Sequence, residues 1–339
     1  MSFELAKEII RKEFEFVKKS SDYDEIEFEL FGGEPFVKFE LMKQIMEWTW
    51  SQKWEIPYYF FATTNGTLIT EEVKQWLVKH SEAFVAGISY DGANDSQDSN
   101  RSNSATKVDL DFFLKTYPRQ KIKMTISPES VKNLAADVLY LTEKGARISA
   151  NCGSGQVWSE ENKNEFRKQL MILADYYLKN PEIEPVSIFE RKFRNVVAKL
   201  EAKWKWCGSG TMMTAYDVDG KNYPCQLFTP LVLGDDNAAD LHKKMDFSDR
   251  KINGDPICVE CSLFNICPTC LGFNYRDTGN IATRGKTMCE LFRIQTSVLA
   301  YYTQELLRKK KEAGIPFDNE DRLDAKGLLF LKDNPSKEK

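Results

Sequence analysis

The chain has 339 residues, of which 42% are hydrophobic and 29% are charged, with a formal net charge of -4. This length allows about two domains, each with its own buried core. A small negative net charge does not attract a polyanion, so nucleic acid is not expected as a partner.

The distribution of charged and apolar residues predicts a cytoplasmic protein. Residues 1–16 carry charges throughout and have no apolar core of the kind that a secretory signal contains. No apolar run approaches the roughly 18 residues that a bilayer span needs, so no membrane partner is expected. In the reducing cytosol, cysteines remain thiols and are available as metal ligands.

The first half of the chain alternates between predicted strands and predicted helices. Five short segments with alternating or continuous apolar residues predict strands: 24–31, 58–62, 84–89, 122–126 and 147–151. Segments with helical spacing of apolar residues predict helices over 3–19, 36–50, 70–79, 108–116, 130–144 and 160–178. This alternation indicates βαβ units and a parallel sheet, a fold that places its chemistry at the carboxyl ends of the strands.

Polar or glycine-rich segments follow several of these strands. They are Gly32-Gly33-Glu34-Pro35, residues 63–67, Asp91-Gly92 with a polar loop over 93–106, and residues 152–155. Each segment alone fits a simple turn as well as a ligand-binding loop. Cys152 alone is more typical of a small buried apolar residue than of a ligand.

The pattern changes after residue 180. Residues 1–180 form the predicted first domain, 181–205 a linker with a helix over 186–203, 206–312 a second domain, and 313–339 a loosely held charged tail. Within the second domain, residues 212–218 and 223–227 predict a β-hairpin that turns at Asp219-Gly220. Residues 289–311 predict a helix that closes this domain.

Seven of the eight cysteines lie in the predicted second domain: Cys207, Cys225, Cys258, Cys261, Cys267, Cys270 and Cys289. Two Cys-x2-Cys pairs are typical of zinc sites, but only five residues separate the pairs here, and seven thiolates exceed the four that one zinc binds. Two 4Fe-4S clusters use up to eight thiolates. The spacing therefore favours iron-sulfur clusters, with zinc as the alternative.

The order of these motifs resembles that of radical S-adenosylmethionine (SAM) enzymes with a SPASM domain. The resemblance covers about residues 1–310 and rests on the seven-cysteine pattern and on three segments: Gly32-Gly33-Glu34-Pro35, Thr63-Thr64-Asn65-Gly66 and Ile88-Ser89-Tyr90-Asp91-Gly92. It implies an α/β fold, with a partial (β/α)6 TIM-like barrel that lacks its first strand. A small carboxyl-terminal, cysteine-rich SPASM domain would follow.

The resemblance also implies a SAM site at the ends of the first three strands. In the family, the Gly-Gly-Glu-Pro segment holds the methionine ammonium with carbonyl oxygens and a carboxylate, which are the acceptors that an ammonium needs. The implied cofactor-binding residues are Gly32, Gly33, Glu34, Pro35, Asn65, Ser89 and Asp91.

Two auxiliary 4Fe-4S clusters are the other cofactors that the resemblance implies. The first would be ligated by Cys207, Cys225 and Cys270. The second would be ligated by Cys258, Cys261, Cys267 and Cys289. The implied partners are a peptide or protein substrate and an electron donor such as a flavodoxin or a ferredoxin.

Three features depart from the family pattern. The sequence contains no Cys-x3-Cys-x2-Cys loop, which in the family holds the cluster that cleaves SAM, so these 339 residues are not expected to generate a 5'-deoxyadenosyl radical. Two residues rather than three separate Cys267 from Cys270. Gln226 follows Cys225 where sulfatase-maturing members carry an aspartate, which favours cross-linking of a ribosomally made peptide over sulfatase maturation.

Three functions fit these observations. The first is a peptide-modifying radical SAM maturase that has a further amino-terminal segment. The second is a non-catalytic iron-sulfur protein that transfers electrons or serves as a scaffold. The third is a zinc protein on a degenerate barrel.

Overall fold

A computed structural model describes residues 1–199, 207–249 and 254–335. The strands are β1 (Ile26–Glu29), β2 (Tyr58–Thr64), β3 (Phe84–Ile88), β4 (Ile122–Ile126), β5 (Ile148–Cys152), β6 (Ala215–Tyr216) and β7 (Asn222–Tyr223). The helices of the first half are α1 (Phe3–Lys19), α2 (Phe39–Ser51), α3 (Glu71–Lys79), α4 (Asn94–Asn100), α5 (Leu110–Thr116), α6 (Leu134–Glu143) and α7 (Glu160–Lys179). Those of the second half are α8 (Pro230–Leu233), α9 (Leu241–Lys244), α10 (Pro256–Val259), α11 (Leu271–Thr278), α12 (Lys286–Glu312) and α13 (Asn319–Asp333).

Strands β1 to β5 lie side by side in chain order and are all parallel. β1, β2 and β3 form one sheet, and β4 and β5 form another. A single parallel bridge between Ser89 and Lys123 joins the two sheets, supported by a hydrogen bond of 3.0 Å from the Tyr90 amide to the Lys123 carbonyl. The predicted α/β fold with a parallel sheet is confirmed.

The two faces of this sheet differ in polarity because successive side chains of a strand point to opposite sides. One face is apolar and packs against the helices, with Phe60, Phe84 and Ile122 almost fully buried. The other face carries polar side chains such as those of Glu29 and Lys123. The polar face is therefore available to a ligand, whereas the apolar face supplies the core.

The segment after α7 differs from its prediction. Instead of one helix over 186–203, the described residues form two 3-10 turns, Ser187–Phe189 and Phe193–Val196, and residues 200–203 lie outside the described part of the chain. The Ser187 hydroxyl accepts a hydrogen bond of 2.9 Å from the Ala150 amide of β5. This segment covers the edge of β5, and pairing that edge outweighs helix propensity.

The carboxyl-terminal residues are also more ordered than predicted. They form α13, whose N-cap residue Asp318 and Asp321 make a capping box. The helix packs against the 3-10 turn at Phe193–Val196 through Gly327 and Leu328, which are both buried. The prediction of a loosely held tail was wrong for residues 319–333.

Two smaller differences concern the loop after β3 and the hairpin. The segment 93–106, predicted as a loop, contains α4 and a 3-10 turn at Ala105–Lys107. The predicted hairpin forms with strands of only two residues, β6 and β7, and its turn includes Gly220 at a φ of 82°. A separate apolar cluster packs behind this hairpin and includes Tyr223, Phe228 and Phe247.

Candidate functional site

Glu34 connects the loop after β1 to the end of β2. Its carboxylate accepts hydrogen bonds from the Thr64 hydroxyl (2.9 Å), the Asn65 amide (2.8 Å) and the Phe36 amide (3.1 Å). A carboxylate has about four acceptor positions, so three donors fix its orientation. The predicted cofactor residues Glu34 and Asn65 are therefore brought together at one rim of the sheet.

The two glycines before Glu34 lie in open surroundings. A Cβ on Gly32 or Gly33 would meet no heavy atom within 4 Å, and neither residue has the positive φ that favours glycine. Neither packing nor backbone conformation thus requires glycine here. The remaining physical reason is close approach of a ligand to the backbone, which a side chain would obstruct.

Asn65 and Gly66 shape the turn after β2. The Asn65 Oδ1 accepts hydrogen bonds from the Thr67 amide (2.9 Å) and the Thr67 hydroxyl (2.7 Å), which makes an Asx turn. Gly66 has a φ of 77°, and its Cα faces the Ile88 and Val108 side chains. The predicted ligand Asn65 therefore also has a structural role in the turn.

Asp91 is fully buried at the end of β3 and is held by three donors. Its carboxylate accepts two hydrogen bonds from Arg101, at 2.8 and 2.9 Å, and one of 2.7 Å from the Thr125 amide of β4. These bonds join β3 to β4 at the point where only the Ser89–Lys123 bridge connects the two sheets. Arg101 and Thr125 had no signal in the sequence, because an Asp-Gly turn does not indicate its distant partners.

A second buried carboxylate, Asp137 of α6, lies behind Gly92. Its Oδ1 accepts a hydrogen bond of 2.9 Å from the Ala93 amide. Burial raises the pKa of Asp137 to about 6, and repulsion from Asp91 contributes to the rise. The folded protein thus binds a proton at this group more tightly than the unfolded chain does.

We expect Asp137→Asn to stabilise the protein near neutral pH and to leave it unchanged near pH 4. The pKa of Asp137 in the folded protein is about 6. The wild type therefore loses stability as the pH rises from about 4 to about 6, whereas the asparagine side chain does not titrate. At about 1.4 kcal/mol per pKa unit, the gain at pH 7 is about 2 to 3 kcal/mol. Urea unfolding at several pH values measures it, with the exposed Asp111→Asn as control; a gain that does not depend on pH would contradict the assignment.

The polar face of the sheet carries Glu29 of β1 and Lys123 of β4, which influence each other electrostatically. Burial raises the pKa of Glu29, and the positive charge of Lys123 partly offsets this rise. The Lys123 ammonium donates a hydrogen bond of 2.5 Å to the Thr63 hydroxyl and lies 4.8 Å from the centre of the Phe61 ring. Side chains of β1, β2 and β4 thus meet on this face, which gives it hydrogen-bonding groups suited to a polar ligand.

The structure brings Cys207, Cys225 and Cys270 near one another, and we call them the first cysteine group. Burial raises the pKa of Cys225 to about 11, and repulsion from Cys270 and Cys207 adds to the rise. The Leu227 amide opposes the rise in the pKa of Cys225. Burial also raises the pKa of Cys270, and the Phe273 and Gly272 amides at the start of α11 oppose that rise. Amide groups near thiolates favour the charged form, which is the form that binds a cluster.

The other four cysteines, which we call the second cysteine group, surround Cys267. They are Cys258, Cys261, Cys267 and Cys289. Burial raises the pKa of Cys267 to about 11, Arg284 opposes the rise, and the three other thiols add to it. All four line a cavity of about 70 Å³, together with Cys207 of the first group. Four half-buried thiols around one cavity are a donor set that suits an iron-sulfur cluster.

The geometry differs from that of a single-ion site. Within the described residues, no three His, Cys, Asp or Glu side chains converge as ligands of one metal ion. A tetrahedral zinc with Zn–S bonds of about 2.3 Å needs its sulfurs about 3.8 Å apart. A cubane distributes its thiolates over four irons and therefore accepts wider spacing.

Cys152 lies at the end of β5 and outside both groups. Burial raises its pKa to about 12, so the thiol stays protonated. The loop that follows contacts the cysteine-rich part of the chain, because the Arg276 guanidinium of α11 donates a hydrogen bond of 3.2 Å to the Ser154 hydroxyl.

The helices of the described residues include none with the length and apolar character that a membrane span requires.

The parallel strands with outer helices, followed by a small cysteine-rich part, give this chain the fold of the radical SAM enzymes with a SPASM domain. No family model and no curated protein matches the sequence. The anaerobic sulfatase-maturating enzyme anSMEcpe with bound AdoMet aligns over 90% of this chain and 88% of its own, with a TM-score of 0.66 and 16% identity. The same enzyme with AdoMet and Kp18Cys peptide gives a TM-score of 0.65 and 17% identity over 90% and 89% of the chains. At these identities the similarity defines the fold.

Proposed function

We propose that this chain is a radical SAM maturase that acts in cross-linking a ribosomally made peptide, and that it binds SAM and two auxiliary 4Fe-4S clusters. The observation that carries the proposal is the division of the seven cysteines into a group of three and a group of four. Seven thiols within a small domain, of which Cys225 is buried, five are half-buried and Cys207 is exposed, have no packing role that would require cysteine at each position.

The rim of the sheet supports the SAM part of the proposal. Glu34, Asn65 and Asp91 lie at the ends of neighbouring parallel strands, where α/β folds bind their ligands. Glu34 holds its own loop in place through Thr64 and Asn65, so the open backbone at Gly32 and Gly33 is presented in a fixed position. Carbonyl oxygens held in this way suit a ligand ammonium.

The polar face of the sheet supports a peptide as the substrate. Lys123 and Glu29 give this face a hydrogen-bond donor and an acceptor that influence each other electrostatically. Such a pair can orient backbone amides and carbonyls of a peptide. The anSMEcpe structures include complexes with peptides, so this fold accommodates them. Gln226 after Cys225 cannot act as a base, which favours cross-linking over sulfatase maturation.

The cysteine-rich part would supply electron transfer when its clusters are bound. The first cysteine group would hold one cluster with amide donors at its sulfurs, and the second group would hold the other in the cavity beside α12. The chain contains no Cys-x3-Cys-x2-Cys loop. We therefore assign to these residues the binding of SAM, substrate and auxiliary clusters, and not the cleavage of SAM.

A non-catalytic iron-sulfur scaffold is the second candidate, and the absence of that loop from the sequence favours it. The in-frame nucleotides upstream of the Met1 codon distinguish the two. A Cys-x3-Cys-x2-Cys pattern there would support the maturase, whereas a stop codon directly upstream would support the scaffold.

The cluster proposal predicts about eight irons per chain in protein purified without oxygen, because two cubanes hold eight. Cys267→Ala is expected to lower the iron content to about four, and Cys225→Ala to do the same by removing a ligand of the other cluster. Cys152→Ala is the matched control and should keep about eight. Iron analysis and visible absorbance measure the outcome; a colourless protein with zinc and no iron would support the zinc alternative instead.

A further inference from the structure

Two arginines lie beside the second cysteine group. The Arg284 guanidinium donates a hydrogen bond to the Cys267 sulfur through Nη1 and one of 3.0 Å to the Met288 carbonyl through Nη2. Arg284 is only 7% exposed. A cation with so little access to water needs negative charge nearby, since desolvation of a charge is costly.

Arg191 approaches the same place from another part of the chain. Its Nη1 donates a hydrogen bond of 3.1 Å to the carbonyl of Ile266, the residue before Cys267. Burial lowers the pKa of Arg191 to about 10, while the Cys267 sulfur favours its charged form and Arg284 disfavours it. The two cations repel each other across Cys267, so an anionic centre at this cysteine would stabilise both.

Phe292 of α12 lies between the two guanidinium groups. Arg191 is 5.1 Å and Arg284 is 5.5 Å from the centre of its ring. The ring lines the cavity of the second cysteine group and is 5% exposed. Cation–π contacts on a buried ring hold both charges in position without neutralising them.

Other charges also reach this cavity. Arg293, Asp249 and Asp255 line it, so it is not lined by cations alone. Arg284 is the cation whose hydrogen bond to a cysteine sulfur is established, and Arg191 is bonded next to that cysteine. A 4Fe-4S cluster with four thiolates carries a net negative charge in both of its common states, and one more in the reduced state.

We propose that Arg191 and Arg284 are positioning residues of the second cluster site, which compensate its negative charge and raise its reduction potential. The inference rests on the proposed function, because it requires a cluster at Cys258, Cys261, Cys267 and Cys289. The reduced cluster gains more from two fixed cations than the oxidised cluster does. The two arginines therefore favour the reduced state of this cluster.

Potentiometric titration followed by electron paramagnetic resonance tests this in the full chain with both clusters loaded. Arg284→Gln and Arg191→Gln should each disfavour reduction of one cluster by about tenfold, which is about 59 mV for a one-electron couple. Arg284→Lys retains the charge and should shift that cluster less than Arg284→Gln. The control is Arg308→Gln, a neutralised arginine at an exposed position of α12, which should shift neither cluster.

The outcomes separate this inference from the proposed function. Wild-type protein without iron would refute the cluster site itself. Eight irons per chain with an unchanged potential in both glutamine variants would overturn the role of the arginines and leave the clusters in place. Loss of about four irons in Arg284→Gln but not in Arg284→Lys would support charge compensation, whereas equal loss in both would overturn it.

Discussion

Asp91→Asn is expected to lower the free energy of unfolding by about 3 kcal/mol, because it breaks a buried ion pair and leaves Arg101 without its counter-ion. Asp91 is 1% exposed and the Arg101 side chain 21%, so some of the cost is relieved by water at Arg101. Both oxygens of the Asp91 carboxylate accept hydrogen bonds, whereas an asparagine has one oxygen and one NH2 group. In Asp91→Asn the NH2 group would face an N–H donor of Arg101 or Thr125, and that donor would lose its acceptor.

Chemical denaturation measures this loss, and Asp95→Asn at an exposed position of α4 is the control. Because Asp91 joins β3 to β4, we also expect faster amide exchange at Thr125 and Tyr90 in the variant than in the control. If Asp91→Asn is as stable as the control, the ion pair of Asp91 with Arg101 does not stabilise the junction of β3 and β4. Asp91 would then be a predicted cofactor ligand only.

Gly327→Ala is expected to destabilise the docking of α13 by about 3 kcal/mol, the upper part of the range for overpacked sites. A Cβ at this position would lie 2.1 Å from the Phe193 carbonyl oxygen, and a backbone atom cannot move aside as a flexible side chain can. In an exposed helix, the same substitution would stabilise by about 1 kcal/mol. A less stable Gly327→Ala variant therefore indicates that α13 is docked, and a more stable one indicates that it is not.

Limited proteolysis and thermal unfolding measure the effect, with Lys326→Ala at the neighbouring exposed position of α13 as the control. Cleavage after Lys332, a site that both variants retain, should become faster in Gly327→Ala only. An increase in melting temperature for Gly327→Ala would contradict the docked position of α13.

The strands were predictable because their cause is local. Alternation at residues 26–29 and 122–126 and the continuous apolar run that begins at Phe84 reflect burial against helices, which leaves a pattern in the sequence. The rim segments were predictable for the same reason, since they directly follow the strands. The confirmed fold thus required only local patterns and their order.

Long-range contacts left no such trace. Arg101 lies ten residues after Asp91, in a segment that was predicted to be a loop, and Thr125 contributes only a backbone amide. In α13, Gly327 permits close packing on Phe193. Glycine also lowers helix propensity, so the residue that allows this contact made the helix harder to predict. Arg191 and Arg284 are far apart in the sequence but lie close together at Phe292 and Cys267, which no local pattern indicates.

The division of the cysteines stays a prediction with a defined test. Cys270 follows Cys267 by one residue fewer than the family pattern has, yet it interacts with Cys207 and Cys225 rather than with the second group. Cys270 is the N-cap residue of α11, and the Phe273 and Gly272 amides of that helix lower its pKa while Cys207 raises it.

The cysteine-rich part is attached to the strand-bearing part at widely separated places. Tyr216 of the hairpin bonds to Glu13 and Lys12 of α1, and Arg276 of α11 bonds to Ser154 after β5. A body held at two remote points cannot rotate freely about either one, because movement at one contact would stretch the other. These contacts therefore restrain where the cysteine-rich part lies relative to the rim of the sheet.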